Sequence, residues 1–225
     1  MMPIIAIRPQ PGAAVTVQQG AAVGLAIDAF PLSEILPIAW DAPPPQTIDA
    51  LLLGSANAVR HAGSQLQLYL GKPAFVVGPA TAVAARAAGF AVAMIGQGGL
   101  KDLLAQMPNH KLTMLRIAAR RHVAVPLPDG ITVETRVAYH AAALPMPQPL
   151  VDMLRKDALV LLHSAGSAEH FAAECDRLAI DRAKVRLAAL GPRIAEAAGP
   201  GWAATRAALS PRETELVALA KEMCH

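Results

Sequence analysis

Two stretches of the chain repeat one local design in the same order, and this doubling limits the folds open to it. Residues 51–59 read LLLGSANAV and residues 160–168 read VLLHSAGSA, each an apolar run ending in Ser-Ala. Residues 76–89 read VVGPATAVAARAAG and residues 189–199 read ALGPRIAEAAG, each a short apolar run, then Gly-Pro, then an alanine-rich helical stretch closed by glycine. The copies lie roughly 110 residues apart, and self-similarity at one long offset marks a duplicated unit. Each copy is followed by a further strand and an Ala/Leu-rich helix, GLKDLLAQM in the first and RETELVALAKEM in the second.

Strand and helix patterns alternate around these landmarks. Short apolar runs at 4–7, 50–53, 74–77, 91–95, 112–117, 158–162 and 185–190 read as buried parallel strands, and 131–137 as a strand rich in β-branched residues. Helices are predicted at 57–70, 79–88, 100–107, 167–178, 192–198 and 212–222, with an amphipathic stretch at 12–24 and a short strand at 202–205. DAPPPQ (41–46) and PMPQP are proline-rich breaks. Strand–helix alternation of this kind predicts the α/β class, with two related, doubly wound domains built on parallel sheets.

Composition narrows the function classes. Hydrophobic residues make up 54% of the 225 residues and charged residues 16%, so a packed core is expected rather than disorder. The net charge of +3 comes without a block of Lys or Arg, which suits a small acidic ligand better than nucleic acid. Cys175 and Cys224 stand far apart with no metal-ligand spacing around them, so neither zinc nor a disulfide framework is predicted. No run approaches the ~18 apolar residues of a membrane helix. The N-terminal stretch is broken by Pro3, Arg8, Pro9 and Pro11, so a cytoplasmic protein is expected.

The candidate site residues gather where strands end. In parallel sheets ligands bind beyond the carboxyl ends of the strands, where the next helices begin. Ser55, Gly78, Ser164 and Gly191 are predicted to fall at such ends. Glycine there lets a ligand approach the backbone, proline at the first helical position costs no hydrogen bond, and free N–H groups of the helix start suit an anion. Thr81 and Arg193, in the first turns of the two Gly-Pro helices, can add donors, and Arg8 and Arg116 are each read as ending a strand. Arg120 and Arg121 read as a solvated helix start. The serines read as helix caps in preference to nucleophiles; His163, next to Ser164, is expected on the opposite strand face. The chain has no GxSxG, GxGxxG, P-loop or HExxH, so no cofactor or metal is expected.

The order of these motifs resembles the uroporphyrinogen-III synthase family over nearly the whole chain. The matching features are a first strand ending Arg8-Pro9, then Ser55-Ala56-Asn57-Ala58-Val59, VVGPATAVAARAAGF, Arg116 and Arg121, Tyr139, HSAGSAEHF with Ser164 and Ser167, and ALGPRIAEAAG. The resemblance implies two α/β domains joined by a two-stranded linker, residues 1–34 with 140–225 forming one and 39–132 the other, with crossings at 35–38 and 133–139. It implies a cofactor-free lyase acting, as a monomer, on hydroxymethylbilane, a linear tetrapyrrole with eight carboxylates. Tyr139 would be the acid that donates to the leaving hydroxyl; Arg8, Ser55, Ala56, Asn57, Gly78, Thr81, Arg116, Ser164, Ser167, Gly191 and Arg193 would bind substrate. The alternative from another class is a two-domain binding protein without catalysis, closing on a small anion.

Overall fold

The computed structural model describes residues 2–107 and 111–224. In chain order the elements are β1 (Ile4–Ala6), α1 (Gly12–Ala22), β2 (Ile27–Ala29), β3 (Ser33–Pro37), β4 (Ala50–Leu53), α2 (Ala56–His61), β5 (Ala74–Val77) and α3 (Pro79–Ala87). Then follow β6 (Val92–Gly96), α4 (Leu100–Ala105), β7 (Leu112–Ala119), β8 (Ile131–Ala143) and α5 (Gln148–Leu154). The last third holds β9 (Ala158–Leu162), α6 (Ala165–Arg177), β10 (Val185–Ala189), α7 (Pro192–Ala197), β11 (Ala204–Ala207) and α8 (Glu213–Met223).

The chain divides into two compact units, Met1–Glu34 with Ala142–His225, and Ile35–Ala141. The sheet of the first runs β11-β10-β9-β1-β2, with every neighbouring pair parallel. The second sheet runs β3-β8-β7-β4-β5-β6, and β8 through β6 are likewise parallel. β4 and β9 each hold the centre, with β5 and β10 beside them and β6 and β11 outermost. The repeated motifs therefore follow equivalent strands. The flanking pair differs in chain order: β1 and β2 precede their central strand, whereas β7 and β8 come after theirs. One unit is a circular permutation of the other.

Continuous apolar strands form because both faces of each sheet are covered. In β9, Val160 and Leu162 pack with α5, α6 and α7 through Leu150, Leu154, Phe171 and Ile194, while Leu159 and Leu161 pack with α8 through Leu216 and Leu219. In β4, Leu51 and Leu53 face Ala58 of α2 and Ala82 and Ala85 of α3, while Ala50 and Leu52 face Leu103 and Leu104 of α4. The alternation hidden in a uniformly apolar run is resolved by which helices cover each side.

Several boundaries differ from the sequence reading. The helix predicted at 57–70 stops at His61, because Gly63 takes φ 72°, a left-handed conformation, and residues 64–69 continue as a 3₁₀ turn. The helix predicted from 167 starts at Ala165, which moves Ser167 into its first turn. The strand predicted at 202–205 is displaced to Ala204–Ala207, since Trp202 stacks on Phe171 with ring centroids 5.5 Å apart. Arg116 does not end its strand: β7 continues to Ala119, and Arg120–Arg121 form a bend rather than a helix start. The strand beginning at 131 extends to Ala143, and α5 follows Pro147 directly, with a proline in its own first turn. No described helix is long and apolar enough to cross a membrane.

Candidate functional site

Each unit presents a set of strand-end groups. In the second unit, Ser55 caps α2, its Oγ accepting from the Asn57 backbone N–H at 3.2 Å. Asn57 is half-buried and Ala56 is buried against the unit. Gly78 caps α3 with φ 76°, where an L side chain is strained, and open space lies where its Cβ would stand. Its N–H is occupied by the Gly96 carbonyl at 2.8 Å, and Thr81, two residues beyond Pro79, is buried. In the first unit, Ser164 caps α6: its Oγ accepts from Ser167 N–H at 3.2 Å and donates to Ser167 Oγ at 2.8 Å. Gly191 caps α7 in extended backbone at φ −173°, which any residue adopts, so the two Gly-Pro turns share a sequence but differ in conformation. Arg193 is exposed, and among the described residues nothing pairs with its guanidinium.

Tyr139 owes its direction to a bulge. Ile131 and Val133 pack against the α4 face of the sheet, and strict alternation would put Tyr139 there too. The β7–β8 register shifts between Ala118 and Ala119, so that Ala119 faces Tyr139 and Ala138 becomes the extra residue. Tyr139 thereby turns into the core that holds α2 and α3, at 7% exposure, with the His61 ring 6.3 Å away. There its hydroxyl lies within the influence of the Ser55 side chain. Burial raises the phenol above its ordinary 10.0, while the Ser55 side chain and the charge of Arg116 pull the other way. Tyr139 is therefore a neutral donor at pH 7.

Arg116 projects from the α4 face of β7, beside Leu52, Leu104 and Thr135, and gives Nη1 to the Val123 carbonyl at 3.0 Å. It is 8% exposed, and burial lowers its pKa while the nearby Tyr139 opposes that shift. Its charge reaches Tyr139 although its side chain leaves the opposite face of the sheet. The structure thus brings Ser55, Tyr139 and Arg116 into one electrostatic neighbourhood.

In the first unit, the predicted Arg8 heads a cluster that sequence reasoning missed. Its Nη1 pairs with Glu213 Oε2 at 2.7 Å. Glu213 Oε1 accepts from Thr16 Oγ1 at 2.5 Å and from His163 Nε2 at 3.0 Å. Thr16 is fully buried, and the His163 side chain nearly so. His163 lies on the α1–α8 side of β9, away from Ser164, as alternation requires. The residues come from β1's end, α1, β9's end and α8, so no local pattern announces them. The only trace in the sequence is Thr16, a lone polar position on the buried face of an apolar helix.

Burial would raise Glu213, but the His163 and Thr16 hydrogen bonds and the Arg8 charge outweigh it and hold the carboxyl at about 2. Burial also lowers His163 from 6.5, against the pull of Glu213 and with help from Arg8. The folded protein keeps His163 neutral where an unfolded chain would protonate it. Stability from His163 is therefore complete above about pH 6.5 and drains as pH falls towards the lowered folded value. Glu213 acts in a separate window, its contribution present above 4.5 and lost between 4.5 and about 2. The urea midpoint is expected to fall between about pH 7.5 and 5.5, and His163→Gln to remove part of that fall; equal slopes in both proteins would contradict this.

Comparison with known proteins gives the chain its relatives. The family model described as uroporphyrinogen-III synthase HemD matches residues 14–218. A uroporphyrinogen-III synthetase from Helicobacter pylori 26695 shares the fold with a TM-score of 0.64 at 16% identity, covering 99% of this chain and 100% of that one. A mutant uroporphyrinogen III synthase from the extreme thermophile Thermus thermophilus gives a TM-score of 0.52 at 19% identity, covering 100% and 99%. A search of curated proteins returns no match.

Proposed function

The chain belongs to the uroporphyrinogen-III synthase family, and from that premise we propose which of its residues carry the reaction. The function is the family's cyclisation of hydroxymethylbilane to uroporphyrinogen III, with inversion of the last pyrrole ring and loss of water. The match across residues 14–218 carries that conclusion.

Tyr139 gives its phenolic proton to the terminal hydroxyl of the substrate. The C–O bond breaks, water departs, and the pyrrole nitrogen lone pair supplies the electrons that form an azafulvene cation. The substituted carbon of the last ring attacks this cation, and the spiro intermediate fragments and recloses with that ring inverted. The ring's lost proton restores Tyr139. Donation leaves a phenolate on Tyr139, and two neighbours favour that charge: the Ser55 side chain and the Arg116 guanidinium. Asn57 N–H donates to Ser55 Oγ, leaving the Ser55 hydroxyl proton free to donate elsewhere.

The remaining assignments concern a flexible polyanion. Ala56, Asn57, Gly78, Thr81, Ser164, Ser167, Gly191 and Arg193 sit at strand ends where N–H groups or cations meet carboxylates, and Arg8 and Arg116 add charge. The same reading takes 1–34 with 140–225 and 39–132 as two domains and 35–38 and 133–139 as their linker, a division supported by the two compact units. It also has the chain act as a cytoplasmic monomer without nucleic acid; the small net charge of +3 supports the last point.

The purified chain, incubated in EDTA with hydroxymethylbilane, is expected to yield the type III isomer. Type I alone, the product of spontaneous closure, would overturn the assignment.

A further inference from the structure

The surroundings of Arg8 fix which of its five N–H donors are free. Nη1 is taken by Glu213 at 2.7 Å, with Thr16 Oγ1 at 3.5 Å. Among the described residues, Nε and Nη2 carry no hydrogen bond. That edge is the one that meets a carboxylate with two parallel hydrogen bonds. It lies over Gly12, the first residue of α1, where an added Cβ would fall against Nε and within 2.9 Å of Nη2. The side chain as a whole is 29% exposed.

The partners behind Arg8 are themselves held. Glu213 Oε1 is fixed by Thr16 and by His163, so the carboxylate offers Oε2 to Arg8 from a set direction. The Thr16 hydroxyl lies within 3.3 Å of the Gly12 carbonyl, tying the cluster to the turn under Arg8. Glu213 begins α8, where a carboxylate also meets the positive end of a helix of 11 residues.

We propose that Glu213 and Gly12 are positioning residues for Arg8, holding its Nε/Nη2 edge open as a receiving fork for one carboxylate of the tetrapyrrole substrate. The inference rests on the family reaction for the identity of the ligand. The fork itself rests on Glu213 occupying one side of the guanidinium and Gly12 leaving space beneath the other. An arginine so tethered loses less freedom on binding a carboxylate than a free one.

The test uses the full chain and the octacarboxylate uroporphyrin I, with affinity read from porphyrin fluorescence independently of turnover. Glu213→Gln and Gly12→Ala are each expected to weaken binding about fivefold. Gly12 does not adopt a left-handed conformation, and alanine is the better helix former, so Gly12→Ala should keep or raise the melting temperature while it weakens binding. A merely structural role would move both in the same direction. In an Arg8→Met background neither substitution should weaken binding further. Unchanged affinity in both single variants, equal losses in the Arg8→Met background, or no binding by the wild type would each overturn the proposal. Wild-type binding with this pattern but without conversion of hydroxymethylbilane would sustain the fork and sink the enzymatic reading instead.

Discussion

Tyr139→Phe is expected to lower kcat for hydroxymethylbilane cyclisation by about 10–100-fold while leaving substrate affinity within about twofold. Positioned acid catalysis is worth about 10²–10⁴-fold, but the pyrrole nitrogen expels the hydroxyl partly unaided, which places the loss at the low end. The substitution removes only the oxygen, and the ring stays in its core beside His61. The Ser55 hydroxyl still accepts from the Asn57 N–H. Ser55→Ala in the same assay should cost less than Tyr139→Phe, because it removes a stabiliser of the phenolate and leaves the proton donor in place. Turnover of Tyr139→Phe within about twofold of wild type would remove Tyr139 from the chemistry and leave geometry alone to drive closure.

Glu174→Ala is expected to destabilise the protein by about 2–3 kcal/mol, read as a lower urea midpoint at unchanged slope. Glu174 is only 8% exposed, in the middle of α6, and its Oε2 accepts the Met146 backbone N–H at 2.7 Å. Arg177 closes on both carboxylate oxygens at 2.7 Å, although that arginine is largely exposed and adds little by itself. The hydrogen bonds from Arg177 lead, outweighing desolvation, in holding the carboxyl at about 2. Removing the carboxylate strands a buried backbone donor in PMPQP, where prolines on both sides prevent the segment from forming a ladder instead. His170, one helical turn earlier, meets the Leu144 carbonyl at 2.8 Å, so α6 grips this stretch twice. Glu174→Gln should recover part of the loss by keeping an acceptor; an alanine variant as stable as wild type would contradict the clamp.

Legibility in the sequence follows the range of the interaction involved. Strands β4, β5 and β9 are readable to the residue because each is a run of four or five consecutive apolar residues bounded by Asp, His, Gly or Pro. The helix caps at Ser55 and Ser164 are readable because the cap contact spans two or three residues. Gly63 defeats the long helix because a single left-handed residue is compatible with the surrounding apolar periodicity until its φ is known. The face of Tyr139 is illegible because the bulge at Ala138 shows only in the pairing with β7 and leaves no mark in the composition of TVETRVAY. Arg8 is visible as a cation after a strand, but Glu213, to which it is tethered, lies 205 positions away.

The permuted order of the two sheets sets a timetable for synthesis on the ribosome. The unit spanning 35–141 is one continuous stretch, and β4 to β8 emerge in an order that lets each new strand join those already made. β1 is made first of all, yet both of its neighbours must be present before it is buried, and one of them, β9, begins only at Ala158. Its apolar residues Ile4 and Ile5 must wait while the continuous unit is already folding. The later unit closes through contacts of long sequence separation, which carry the larger loop-closure entropy and fold more slowly. A nascent chain arrested once residue 141 has left the ribosome, but before β9 has, should therefore already protect 35–141 from protease while its N-terminal arm is still cut.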